Sequence, residues 1–99
     1  MESEKKIELH LTKEIKKIGG RAYKFLSPGA SGVPDRLVCL PGGRTVFVEL
    51  KSEGQKSTTQ QKHRQEELRA LGFAVFADVD TKSKVDAIVR ILKDEIHTA

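Results

Sequence analysis

With 99 residues, 37% of them hydrophobic and 32% charged, the chain is sized for one modest core and is read as a single domain over residues 1–99. Charges interrupt every apolar run, which argues against a membrane-spanning helix, and the charged opening MESEKKIELHLTKE does not read as a secretory signal. The net charge of +4 leans toward polyanionic partners, whereas one Tyr, four Phe and no Trp argue against a stacking platform for single strands.

Taken in chain order, Ile7, Leu11, Ile15 and Ile18 recur at helical spacing and predict a helix over 4–18, stopped by Gly19-Gly20. RAYKFL reads as a short strand and SPGASGVP as a turn-rich loop, which lacks the pattern and the lysine of a nucleotide-binding P-loop. DRLVCL and RTVFVEL are β-branched, apolar strands. SEGQKS is a polar loop, Thr58 opens a second helix carrying Leu68 and Leu71, and Gly72 ends it. FAVFADV is a further strand, and a last helix over 82–96 carries Val85, Ile88, Val89 and Leu92. The order α-β-β-β-α-β-α implies an α/β fold with a mixed sheet flanked by helices. Cys39, the only cysteine, reads as a small core residue inside a strand of a chain kept in a reducing compartment, and His10, His63 and His97 lack the spacing of a zinc site.

The central hairpin carries the chemistry. LPGGRT admits two turns. A two-residue Gly42-Gly43 turn pairs Pro41 with Arg44, sets Arg36 opposite Glu49 and turns Asp35 away. A three-residue Pro41-Gly42-Gly43 loop pairs Leu40 with Arg44 and sets Asp35 opposite Glu49. The second is preferred, because Pro41 lacks the N–H a ladder needs, suits the first central position of a type I turn, and leaves Gly43 for the left-handed position. Asp35, Glu49 and Lys51 then share one face with Leu37, Cys39 and Phe47, while Val38, Leu40, Val46, Val48 and Leu50 fill the other. Two carboxylates across a ladder repel. A proton on one of them, or a cation such as Mg²⁺ between them, relieves the conflict.

The residues GVPDRLV, FVELK and the Gln-containing helix start resemble the VRR-NUC family of the PD-(D/E)xK nuclease superfamily, over nearly the whole chain. The resemblance implies a restriction-endonuclease-like core and a divalent-metal-dependent DNA endonuclease using Mg²⁺ or Mn²⁺. It implies Asp35 and Glu49 as metal ligands, joined by the Leu50 main-chain carbonyl, and Lys51 as the catalytic lysine. A first-helix glutamate completes the family's site. Glu4 lies within the apolar stripe and is preferred, and Glu8 is the alternative, favoured by its distance from the glycine. The family's helix-start glutamine falls on Gln60 or Gln61. Gln61 is preferred, since Thr58-x-x-Gln61 also has capping-box spacing. Lys24, Arg36, Lys56, Lys62 and Arg64 lie near the site in sequence and are candidate DNA-backbone contacts. Stand-alone members are similar to dimeric junction resolvases. That implies a homodimer acting on branched DNA in the cytoplasm of a bacterium or a phage-infected host cell. Rival readings are a flap or nicking nuclease and a non-catalytic DNA-binding module.

Overall fold

In the computed structural model, which describes residues 1–98, helix α1 spans Glu4–Lys17. Ala99, the last residue of the expected domain, lies outside the described residues. Ser3 caps α1 by accepting the Lys6 N–H, and Ile7, Leu11 and Ile15 are fully buried, as the helical spacing requires. After Gly19-Gly20 come β1 (Arg21–Lys24), β2 (Arg36–Cys39) and β3 (Thr45–Leu50), then α2 (Thr59–Ala70), β4 (Ala74–Val79) and α3 (Lys82–Thr98). The four strands form one sheet in the order β1-β2-β3-β4. Its first two pairings are antiparallel, and β3 and β4 are parallel, joined through α2. No described helix is long and apolar enough to cross a membrane.

The alternation read from the hairpin sorts the two faces. Val38, Leu40, Val46, Val48 and Leu50 join Ile7, Leu11, Ile15, Val85, Ile88 and Leu92 in one core, so α1 and α3 cover that face. The opposite face carries Phe47, whose ring meets Phe25 and Phe73 edge-on at centroid distances of 5.7 and 5.4 Å. Helix α2 buries little, with Gln65 its one buried residue. Leu71, expected on its apolar stripe, stands exposed at the helix end.

The three-residue loop is present: the Leu40 N–H donates to the Arg44 carbonyl at 2.8 Å. Its turn type differs from the expectation. Gly42 has φ 83° and ψ 6°, and the Gly43 N–H reaches the Leu40 carbonyl, so Pro41-Gly42 form a type II turn rather than type I. A glycine at the second central position takes positive φ without a Cβ clash, and Gly43 follows at φ 80°, left-handed as expected.

Gly20 is required for closeness rather than for a special φ. A Cβ there would sit 2.7 Å from the Cys39 carbonyl oxygen and 3.0 Å from Ile15 and Leu40. Gly20→Ala is expected to cost about 1–3 kcal/mol, seen as a lower urea midpoint. An unchanged midpoint would mean that α1 and β2 separate freely at this contact.

Candidate active site

The β2–β3 register pairs Arg36 with Val48 and, continued one residue, brings Asp35 opposite Glu49. Asp35 leads into β2 and Glu49 lies near the end of β3, so both stand at the open end of the hairpin. The Leu50 N–H donates to Asp35 Oδ1 at 3.1 Å, and Asp35 Oδ2 lies 3.1 Å from Arg36 Nη1. Glu49 is 3% exposed, and its Oε1 has no hydrogen-bond partner. Burial, then the Asp35 charge, pushes Glu49 up to about 7, with Lys51 pulling the other way. Burial also raises Asp35, and the Glu4 charge adds to that.

Lys51 follows β3, and its N–H donates to the Val79 carbonyl at 3.0 Å. Its Nζ donates to Gln61 Oε1 at 2.8 Å. The same oxygen accepts the Thr58 N–H at 2.9 Å, and Thr58 Oγ1 accepts the Gln61 N–H at 3.1 Å. Gln61 therefore closes the capping box of α2 and holds the lysine at once. Gln60 points elsewhere, its Nε2 donating to Ser31 Oγ in the β1–β2 loop.

The two candidate glutamates of α1, Glu4 and Glu8, divide the work. Glu4 is exposed in the first turn, yet its charge acts on Asp35, Glu49 and Arg36. Glu8 is held in ion pairs with Arg36 and Lys5. Among the described residues, no three Asp, Glu, His or Cys side chains converge into a closed metal cage. The convergent pair is Asp35–Glu49, with Glu4 at its rim. A partnerless, buried carboxylate oxygen beside a second carboxylate is a donor set that suits Mg²⁺ or Mn²⁺.

Arg36 is placed differently from the sequence expectation. It lies on the core face of β2, one residue out of phase with Asp35, and is 6% exposed. Its guanidinium ties Glu8 to Asp35 and donates to the Asp35 carbonyl at 2.9 Å. It is an internal counter-charge to the carboxylates and does not reach solvent for a phosphate. Arg64 is also engaged, donating from Nε to the Ser31 carbonyl and pairing with Glu67. Lys24, Lys56 and Lys62 are exposed, and the charges of Lys56 and Lys62 are felt at Asp78.

Sequence reasoning did not find the support behind Lys51. Asp78 Oδ1 accepts both the Ser57 N–H at 2.6 Å and the Ser57 hydroxyl at 2.7 Å, and Ser57 Oγ accepts from Gln65 Nε2 at 2.9 Å. The available signal was a Ser-Thr-Thr run before a helix, which marks a cap but not what holds it.

A mixed sheet with Asp35, Glu49 and Lys51 gathered at the open end of its central hairpin is the form expected of a PD-(D/E)xK nuclease core. No family model matches the sequence. A solved structure described as a "VRR_NUC domain" superposes with a TM-score of 0.81 and 32% identity, over 91% of this chain and 97% of that one. "Putative nuclease p44" of Acyrthosiphon pisum secondary endosymbiont phage 1 is 56% identical over 72 residues, 73% of this chain and 77% of that protein. The chain belongs to the VRR-NUC nuclease family.

Proposed function

We propose that the protein is a divalent-metal-dependent endodeoxyribonuclease, with Asp35 and Glu49 as the metal-binding pair. The observation that carries this reading is the buried Glu49 carboxylate, with Oε1 unpartnered, set against Asp35. Glu4, exposed at the rim, and the main-chain carbonyl of Leu50 would join them as further donors once a metal is bound. The carboxylates of Glu4, Glu8, Asp35 and Glu49 outnumber the cations Lys5, Arg36 and Lys51 that act on them, and a bound divalent ion would offset that excess. When bound, the ion supplies Lewis acidity toward a phosphoryl oxygen and makes a water more acidic.

The chain's own residues do the rest. The Lys51 ammonium, held by Gln61 Oε1, stabilises negative charge that grows on the phosphate as the P–O bond breaks. The N-terminus of α2 lies beside it and favours the same anion. Arg36 fixes the Asp35 carboxylate by binding both its side chain and its main-chain oxygen. Lys24, Lys56 and Lys62 supply solvent-facing charge for the DNA backbone.

The preferred substrate of this reading is branched DNA, cut by a symmetric dimer that presents two sites to two strands. In Mg²⁺ or Mn²⁺ at matched salt, a four-way junction is expected to be cut in preference to a linear duplex of the same sequence. Equal cutting of both would remove the junction reading and leave a simpler nuclease. No cutting of any DNA by folded, metal-bound protein would favour a binding module instead.

A further inference from the structure

Ser57 and Gln65 are buried polar residues with 7% and 3% exposure, and their side chains bond to Asp78 and to each other. A buried polar network is retained only where its members are satisfied, and it then fixes one arrangement. Here the arrangement it fixes is specific. β4 carries a bulge: Val48 pairs with Phe76 but Leu50 with Val79. Asp78 falls in it at φ 54°, a left-handed conformation that Asp tolerates better than most residues.

From that bulge the chain is held in two directions. Asp78 takes both donors of Ser57, the residue directly before the Thr58 cap, while the next residue, Val79, accepts the Lys51 N–H. The two ends of the Lys51–Gln61 hydrogen bond are thus referenced to two adjacent residues of one strand. Gln65, two turns into α2 and on its buried side, locks the helix to Ser57 and so to the same point.

We infer that Asp78, Ser57 and Gln65 are positioning residues for Lys51: the bulge holds the Thr58–Gln61 cap at the distance from Lys51 that keeps its ammonium aimed at the scissile phosphate. This rests on the nuclease reading above.

The test compares wild type with Ser57→Ala, Asp78→Ala and Asp78→Asn in single-turnover cleavage at saturating DNA and Mn²⁺, well below each variant's melting temperature. Misplacing a catalytic group slows chemistry without weakening binding, so Ser57→Ala and Asp78→Ala are expected to lose roughly ten- to hundred-fold in rate, with DNA affinity unchanged. Asp78→Asn keeps an oxygen for Ser57 and tolerates the positive φ, so it should retain most of the rate. In a Gln61→Ala background, Ser57→Ala should add little, because both act through one contact. Independently of activity, amide exchange at Thr58 and Gln61 should quicken in Ser57→Ala while Val46 and Val48 stay protected. Wild-type rates in Ser57→Ala and Asp78→Ala, full additivity with Gln61→Ala, or unchanged exchange at Thr58 would each overturn the assignment alone. Wild-type protein that cuts no DNA would overturn the nuclease reading and this assignment with it.

Discussion

Lys51→Ala is expected to lower strand cleavage by roughly a hundred- to thousand-fold, the usual loss when a preorganised charge stabiliser is removed. DNA affinity should change little, because several exposed lysines share the phosphate contacts. The fold should survive as well. Gln61 Oε1 keeps its bond from the Thr58 N–H when the ammonium is gone, so the α2 cap persists. The pairing of Leu50 with Val79 also remains, and with it the main-chain path to residue 51. The measurement is single-turnover cleavage beside a binding titration in Ca²⁺. Loss of binding in step with cleavage would make Lys51 an anchor for DNA rather than a participant in the chemistry.

Glu49→Gln is expected to act on stability as strongly as on cleavage. In the folded protein, burial and the Asp35 charge raise Glu49 from 4.5 to about 7. Between those values the folded state holds a proton that the unfolded chain has released. Its stabilising contribution is therefore fully present below about pH 4.5 and is lost as the pH rises through about 7. At about 1.4 kcal/mol per pH unit, the loss is on the order of 3 kcal/mol. Asp35, raised by the same burial, adds in the same direction. Metal-free wild type should thus melt lower at pH 8 than at pH 5, and Glu49→Gln should flatten most of that slope. Mn²⁺ competes with the proton, so it should restore the wild type above pH 7 and do little for the variant. Parallel melting profiles for the two proteins, with and without Mn²⁺, would contradict this placement of the charge.

How much of the site was legible follows from the range of the interactions involved. The Asp35–Glu49 juxtaposition was legible because strand parity and loop length are local, and Pro41 made the three-residue loop the better one. Gln61 was legible for the same reason, since a capping box is written within four residues. The turn type was misread because both type I and type II accept Pro41, and only Gly42's own φ decides between them. Arg36 was misassigned because nearness in sequence does not give the face. Its parity put it with Val38 under α1, where Glu8 was waiting as a partner. Asp78, Ser57 and Gln65 were not legible at all, because the bulge that unites them exists only once β3 and β4 pair in parallel.

The most direct test of the metal-assisted nuclease account is cleavage of end-labelled DNA by wild type and by folded Glu49→Gln, each in Mn²⁺ and in EDTA. The account predicts cutting by wild type in Mn²⁺, none in EDTA, and none by Glu49→Gln in either. Cutting that persists in EDTA, or that survives Glu49→Gln undiminished, would contradict it.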